Sequence, residues 1–173
     1  MEVVFEGLSQ DRGPKSAQML LKNNGQTVVS RSVSFAYAGR SVGQEVVYSN
    51  AGDQLTNLPT GTYDIYINGP VHLTRKFTRV INAGSQTADV TATKLLAGDS
   101  IDTRTDLSAA PADKINIFDY NDLVTYFACK VAPASPPPGK TCSSFASDFD
   151  FDGDIDIFDY NFLVGNFNKS GEL

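Results

Sequence analysis

Short runs of alternating apolar and polar residues dominate the first half of the chain, up to residue 94. In residues 62–67 (TYDIYI), for example, Tyr63, Ile65 and Ile67 fall on one face of a strand, because side chains in a strand alternate between its two sides. Turn-forming groups with glycine, asparagine or proline separate the runs. The pattern predicts strands at residues 2–6, 27–37, 44–49, 62–67, 76–81 and 87–93. Short strands at this spacing are typical of an antiparallel β-sandwich.

The second half of the chain changes to a helical period and contains an internal repeat. Residues 115–127 (INIFDYNDLVTYF) match residues 155–167 (IDIFDYNFLVGNF) at nine of thirteen positions, with an offset of 40 residues. Apolar residues in each copy recur at helical spacing, which predicts two helices that pack on each other through these stripes. The stripes consist of Ile117, Tyr120, Leu123, Val124 and Phe127, and of Ile157, Tyr160, Leu163, Val164 and Phe167. We therefore predict an α+β chain, with an antiparallel sandwich in residues 1–94 and a small domain of two repeated loop-helix units in residues 95–173.

Two further pairs of equivalent residues flank the predicted helices. Phe118 and Phe158 lie off the stripes, at the helix starts. There they either join the margin of the core or stay exposed as anchors for another protein, so both are candidate partner-binding residues. Ile115 and Ile155 precede the helices, and we expect them to pair with each other in a short strand contact between the two loops.

A run of alternating aspartates precedes the second helix, at residues 148–159 (DFDFDGDIDIFD). It fits the twelve-residue calcium loop, which has acids at positions 1, 3 and 5, glycine at 6, a backbone carbonyl at 7, an apolar residue at 8 and a carboxylate at 12. A loop that offers so many protein oxygens suits Ca²⁺ better than Mg²⁺. The candidate ligands are Asp148, Asp150, Asp152, Asp154, Asp156 and Asp159. The alternative is a solvated acidic turn whose carboxylates point apart.

The loop before the first helix departs from this pattern. The repeat alignment places Ser108, Ala110 and Ala112 where the second loop has its acidic triplet. A Gly-Asp pair stands at residues 98–99, where a loop would begin, and this predicts an insertion within residues 100–112. The candidate ligands of a second calcium site are then Asp99, Asp113, Asn116 and Asp119. The alternative is a loop that is acidic but holds no metal.

Charge is concentrated in the predicted helical domain. The 173 residues carry a net charge of −6, and residues 95–173 hold thirteen acidic and five basic residues, against seven and nine in residues 1–94. This balance argues against nucleic-acid binding, which needs a basic face.

No apolar run reaches the roughly 20 residues of a membrane helix. A single histidine, His72, and two cysteines are too few for zinc sites of the Cys₄ or Cys₂His₂ type. No catalytic constellation stands out, so we do not expect an enzyme.

The two cysteines, Cys129 and Cys142, flank a proline-rich segment at residues 133–139. A cysteine pair in this setting predicts a disulfide in a secreted or cell-surface protein. Closing about 14 residues stabilises a fold by roughly 3 kcal/mol in the chain-entropy account. The alternative is two unrelated thiols in a cytosolic protein.

Two parts of the chain resemble known families. Residues 55–64 (LTNLPTGTYD) resemble the turn and strand of prealbumin-like and carboxypeptidase-regulatory-like sandwiches. The paired loop-helix motif of residues 98–127 and 148–167, in which the aspartate at position 12 runs straight into the helix, is similar to a dockerin type I repeat pair. It also resembles the X-module–dockerin arrangement of bacterial cell-surface proteins, in which a small β-sandwich precedes the dockerin. The resemblance implies calcium-dependent docking to a cohesin-type receptor.

These observations lead to two functional hypotheses. The first is a non-enzymatic extracellular assembly module that binds calcium and docks to a cohesin-type receptor, or to neighbouring copies of itself in a surface fibre. In the fibre version, the strand at residues 2–6 offers an exposed edge for strand addition. The alternative is a carbohydrate-binding sandwich with a calcium-stabilised C-terminal anchor. Its aromatic platform would consist of Tyr37, Tyr48, Tyr63 and Tyr66, in a chain that has no tryptophan.

Overall fold

The computed structural model describes residues 1–50, 55–82, 88–100, 113–131, 138–139 and 141–172. Within these residues, strands fill the first half of the chain and two helices lie in the second, which confirms the predicted α+β class. The elements are β1 (Glu2–Val4), β2 (Lys15–Asn23), β3 (Gln26–Val42), β4 (Glu45–Ser49), β5 (Gly61–Asn68), β6 (Arg75–Ile81), α1 (Ile117–Tyr126) and α2 (Ile157–Asn166). Nearly all of the predicted insertion at 100–112 and most of the proline-rich segment at 133–139 lie outside the described residues.

Strand β2 is the element that the sequence pattern fails to predict. Ala17, Met19 and Leu21 alternate as expected for a strand, and all three are buried in the main core. However, Leu20 between them is buried as well, against Tyr66 on the opposite face of the sheet. Because both faces are covered here, the run reads as continuously apolar and the period of two is hidden. The predicted strand at 87–93 is reduced, in its described part, to a bridge between Asp89 and β1.

The strands form one antiparallel sheet in the order β1-β4-β3-β2-β5-β6. The long strand β3 joins its two halves, because its first part pairs with β2 and its last part pairs with β4, with an irregularity between Tyr37 and Ser41. Side chains from both ends of the sheet, such as Val3 of β1 and Phe77 of β6, meet in one hydrophobic cluster. The predicted sandwich therefore takes the form of a single sheet that curls around its own core, as in a half-barrel.

The edge predicted for strand addition, at residues 2–6, is not free. One side of β1 pairs with β4, from Glu2 opposite Ser49 to Val4 opposite Val47. Its other side is covered by the segment at residues 88–95, since Glu2 N–H donates to the Ala88 carbonyl at 2.9 Å and Leu95 N–H donates to the Val4 carbonyl at 2.9 Å. The prediction of an exposed edge at this strand is therefore wrong, because residues distant in sequence occupy it.

The second half of the chain has its own hydrophobic cluster and an internal twofold arrangement. Ile115 N–H donates to the Lys169 carbonyl at 3.0 Å, and Ile155 N–H donates to the Cys129 carbonyl at 2.9 Å. Each isoleucine thus pairs with the segment that follows the helix of the other repeat. The predicted direct strand contact between Ile115 and Ile155 is wrong in this respect, although both are fully buried in the same cluster together with Leu123.

Extensive contacts join the sheet to the helical half. Glu6 accepts hydrogen bonds from Asn166 of α2 and from the backbone N–H of Ala97, at 3.1 Å. His72 is fully buried, and its Nε2–H donates to the Glu6 carbonyl at 3.0 Å. Burial lowers the pKa of His72 to about 4, so the imidazole is neutral at neutral pH. Val71 also packs into the second cluster. The division into domains at residues 1–94 and 95–173 stays a prediction.

Among the described residues, the helices are too short and insufficiently apolar to cross a membrane.

Candidate calcium loops and docking face

The second helix begins at a capping box that also closes the acidic loop. Asp156 is the N-cap residue of α2, and its side chain accepts the Phe158 N–H at 2.7 Å. Asp159, in the first helical turn, accepts the Asp156 N–H at 2.8 Å and the Phe149 N–H at 2.6 Å through its two carboxylate oxygens. One nearly fully buried carboxylate therefore holds both ends of the loop at the start of the helix, where the helix dipole favours negative charge.

Three carboxylates of the loop converge. Oxygen atoms of Asp148, Asp150 and Asp152 lie within 4.8 Å of one another. Asp148 also accepts the N–H groups of Asp152 and Gly153 at 3.1 and 3.0 Å, which folds the loop around it. The turn requires glycine at position 6, because Gly153 has a φ of +94°. The arrangement supplies several oxygen ligands to one point, which is the donor set that Ca²⁺ prefers.

The carboxylates of this loop are unfavourably placed as isolated anions. Burial raises the pKa of Asp148 to about 6, and the adjacent charges of Asp150 and Asp152 add to the shift. Burial likewise raises the pKa of Asp159 to about 7, although the two N–H donors act in the opposite direction. The pKa of Asp150 is also raised, mainly by burial. A divalent cation would offset this cost by neutralising the cluster.

The two other candidate ligands of this loop have different side-chain partners. Asp154 forms an ion pair with Lys130, in the segment that follows α1. Asp156 caps α2, as described above. The structure thus brings the side chains of Asp148, Asp150 and Asp152 together, with Asp159 at the helix end of the loop. Metal coordination by the six predicted residues stays a prediction.

The first loop repeats the same framework around Asp119, which is fully buried. Its Oδ2 accepts the Asn116 N–H at 2.8 Å, and its Oδ1 accepts the Ser100 N–H at 3.0 Å. Asn116 caps α1 by accepting the Phe118 N–H at 2.9 Å. Ser100 therefore occupies the place that Phe149 has in the second loop, and Asp99, also buried, corresponds to Asp148. This correspondence supports a loop that begins at Asp99 and carries its insertion within residues 101–112, outside the described residues.

Asp113, another candidate ligand, makes contacts that the sequence does not reveal. Its Oδ2 accepts hydrogen bonds from the Asn68 side-chain amide at 3.0 Å and from the Thr74 N–H at 2.7 Å. Its carbonyl accepts the Gly171 N–H at 2.8 Å. Asp113 thus ties the first loop to the sheet and to the C-terminal tail. A role as calcium ligand stays a prediction for this residue.

The apolar stripes of the two helices do not form the predicted mutual core. Leu123 and Leu163 are buried, but Val124 and Val164 are 46% and 51% exposed. The reason is the buried aspartate at the start of each helix, such as Asp119 in α1. The side of the helix that carries this aspartate also carries the leucine four positions later, and this side faces the core. The residues on the opposite side therefore face solvent.

Each helix therefore exposes an equivalent set of apolar residues, and we call the two sets together the docking face. It consists of Ile117, Phe118 and Val124 on α1 with Ile157, Phe158 and Val164 on α2. Phe118 and Phe158 are the most exposed of the six, at 64% and 60%. Of the two predicted positions, at the margin of the core or exposed to solvent, both phenylalanines therefore adopt the exposed one. Equivalent residues of the two repeats contribute equally to the face, so each helix presents the same chemistry.

Two further predictions are decided by burial and bonding. Cys129 and Cys142 form the predicted disulfide, with 5.6 Å between their Cα atoms. The predicted tyrosine platform is absent, because Tyr48, Tyr63 and Tyr66 are buried and only Tyr37, at 40%, is exposed among the four. Tyr48 and Tyr63 instead belong to the main hydrophobic core.

Comparison with known proteins gives similarity at the level of the fold. No protein-family model and no curated protein matches the chain. One chain of a crystal structure described as a C-terminal interface mutant of the type II Cohesin-X-Dockerin complex from Acetivibrio cellulolyticus is 19% identical, with a TM-score of 0.50, over 88% of this chain and 82% of that one. A chain of the N-terminal interface mutant of the same complex is 21% identical over the same shares, with a TM-score of 0.48. The chain therefore shares its fold with a component of a cohesin-X-dockerin complex.

Proposed function

We propose that this protein is a non-enzymatic, extracellular calcium-binding module that docks to a cohesin-type receptor through the docking face. The observation that carries the proposal is the exposure of equivalent apolar residues on both helices, one of which directly follows a loop of converging carboxylates. Large exposed apolar clusters are rare on soluble proteins and mark interaction sites. Aromatic anchors such as Phe118 and Phe158 are typical centres of protein interfaces.

Calcium has a specific part in this proposal. Two carboxylates about 5 Å apart repel each other by roughly 3 kcal/mol at an effective dielectric constant of 20. Asp148, Asp150 and Asp152 are that close, and they are fixed there by hydrogen bonds to the backbone of the loop. A bound Ca²⁺ would offset the repulsion and hold the start of α2 in place. The orientation of the docking face then depends on the ion.

The remaining support comes from the fold and from the disulfide. The chain is similar in fold to a component of a complex that contains a cohesin and a dockerin. The disulfide between Cys129 and Cys142 is typical of proteins outside the cytosol, which favours a location at the cell surface or in the medium. The carbohydrate-binding alternative loses its basis, because most of its aromatic platform is buried.

The test is binding to immobilised type II cohesin domains by surface plasmon resonance, in calcium and in excess chelator. We expect binding in calcium only, and we expect the double variant Phe118→Ala/Phe158→Ala to weaken it by about thirty-fold or more, as for loss of central interface residues. Val80→Ala is the matched control, because Val80 is 61% exposed but lies on β6.

Analytical ultracentrifugation without receptor distinguishes docking to a cohesin-type receptor from docking to neighbouring copies of the chain. Self-association in calcium that the double variant abolishes would assign the docking face to neighbouring copies of the chain. A monomer that binds cohesin would support the receptor version. A monomer in calcium that binds none of the cohesins would overturn the proposal.

A further inference from the structure

The second acidic loop is packed against the sheet through a residue that has no metal-ligating atom. Phe151 occupies position 4 of the loop, and its half-buried ring contacts both hydrophobic clusters of the protein. The ring stacks on the imidazole of His72, with 6.4 Å between centroids and 10° between planes. On the same ring, Lys15 Nζ lies 4.1 Å from the centroid. Both partners belong to the sheet half of the chain.

The backbone of the loop is equally close to the sheet. A Cβ atom placed on Gly7 would lie 3.0 Å from the carbonyl oxygen of Phe149 and 3.3 Å from the Cα of Asp150. Gly7 also has a φ of +90°, which disfavours other residues. The sheet half of the chain therefore contacts the loop at positions 2, 3 and 4, which lie between Asp148 and Asp152.

The conformation of Phe151 needs this support. Its φ is +56°, in the left-handed region that is unfavourable for a phenylalanine. Such a backbone conformation persists where surrounding contacts hold it. The stack on His72, the ammonium of Lys15 and the two clusters supply these contacts. They fix the turn between Asp150 and Asp152, which are two of the three converging carboxylates.

We propose that the sheet half of the chain holds the second loop in its calcium-binding shape, with Phe151 as the positioning residue. This inference rests on the proposed calcium binding and adds that the affinity is set partly outside the loop. A loop that is ordered before the ion arrives loses less conformational entropy on binding, so it binds more tightly. By linkage, calcium in turn strengthens the contact between loop and sheet by the same factor.

The test is the calcium affinity of the full-length protein, measured by isothermal titration calorimetry on chelator-treated samples. Phe151→Ala should weaken the tightest site by about ten-fold, within the usual range of coupling between sites. Since the substitution changes neither charge nor ligand atoms, the loss would come from lost positioning. Phe167→Ala is the matched control, because it removes the same ring from an exposed position at the end of α2, outside the loop. Its affinity should equal that of the unmodified protein.

Two more variants keep the test decisive if Phe151→Ala is poorly folded. Phe151→Leu retains apolar bulk but not the stack, and it should fall between the alanine variant and the unmodified protein. Gly7→Ala should also weaken calcium binding, because the added Cβ forces the loop backbone away from the sheet. Circular dichroism checks that each variant tested retains its fold.

The outcomes separate this inference from the proposed function. If the unmodified protein binds no calcium, the proposed function fails, and the inference fails with it. If the unmodified protein binds calcium and the folded Phe151→Leu and Gly7→Ala variants bind it equally well, only the inference is overturned.

Discussion

The two loop-helix repeats share one framework but use it differently. In each, a buried aspartate of the first helical turn, Asp119 or Asp159, accepts one N–H from the helix cap and one from the start of the loop. In each, an isoleucine, Ile115 or Ile155, pairs with the segment after the other helix. The repeat is therefore preserved in the groups that fold it.

The difference lies at position 6 of the loop. The second repeat has Gly153 there, with the positive φ that a tight acidic turn needs. The first repeat has Asp113 at the equivalent place, and its side chain binds Asn68 and Thr74 of the sheet half. One copy is thus shaped as a compact loop around its carboxylates, whereas the other anchors the domain to the sheet. The two repeats thus share the hydrogen bonds that fold them, but this does not mean that they share the same metal ligands.

A second difference concerns the chain segment that pairs with each loop. Residues after α1, including Val131, pair with Gly153 in the second loop and are tied by the disulfide at Cys129. Residues after α2 pair with the first loop, and they include Gly171, whose N–H donates to Asp113. The second loop is therefore supported by a covalent link and the first by the C-terminal tail.

The largest expected effect tests which side of each helix is buried. Leu123→Ala and Leu163→Ala should each lower the free energy of unfolding by about 3–4 kcal/mol, because both side chains are buried and leave a cavity. Val124→Ala and Val164→Ala are the matched controls and should change it by less than about 0.5 kcal/mol. Urea unfolding measures all four. If the valine variants lost as much stability as the leucine variants, the two helices would pack on each other through their apolar stripes, as the sequence predicted.

Removal of the disulfide should affect the second repeat more than the first. The Cys129→Ser/Cys142→Ser variant should lose about 3 kcal/mol of stability, because the unfolded chain is no longer constrained. Hydrogen exchange should rise at the Ile155 N–H, which donates to Cys129, more than at the Ile115 N–H, which donates to Lys169. Equal increases at both amides would show that the two loops do not differ in their support.

Calcium removal should separate the ligand sets of the two loops. When the ion is present at 100 times its dissociation constant, chelation should cost the unmodified protein about 2.7 kcal/mol for each site. Asp148→Ala should remove the contribution of the second loop, and Asp99→Ala should remove that of the first if it binds metal. Ser16→Ala, at an exposed position of β2, is the control. Thermal unfolding with and without chelator gives the values, and a chelator effect unchanged in Asp148→Ala would contradict a site in the second loop.

The smallest expected effect on stability is at the docking face. Phe118→Ala and Phe158→Ala should each change the free energy of unfolding by less than about 0.5 kcal/mol, since both rings are largely exposed. Phe149→Ala, at a fully buried position of the second loop, is the contrasting variant and should cost about 3 kcal/mol. Thermal unfolding in calcium compares the three, and a large loss at Phe118 or Phe158 would assign these residues to the core.

Features that depend on local spacing were open to prediction from the sequence. The convergence of Asp148, Asp150 and Asp152 follows from alternation and one glycine, which are properties of a short segment. The disulfide follows from a pair of cysteines in a short chain segment. The α+β class follows from the change of period near residue 95.

Features that depend on distant residues were not. The hydrogen bond of Glu6 with Asn166 joins residues 160 positions apart, and nothing near either residue indicates it. The helical period gives the spacing of apolar positions but does not show which side of a helix is buried. In α2, burial of Asp159 determines the side that faces the core. In β2, burial of Leu20 on the second face removes the alternation on which the prediction depends.

The central claim is that a calcium ion holds the carboxylates of the second loop. A crystal structure of the protein grown in calcium chloride, with anomalous difference density, tests it most directly. We expect a peak between Asp148, Asp150 and Asp152, with oxygen ligands at about 2.3–2.6 Å. Carboxylates directed into solvent, with no peak between them, would contradict it.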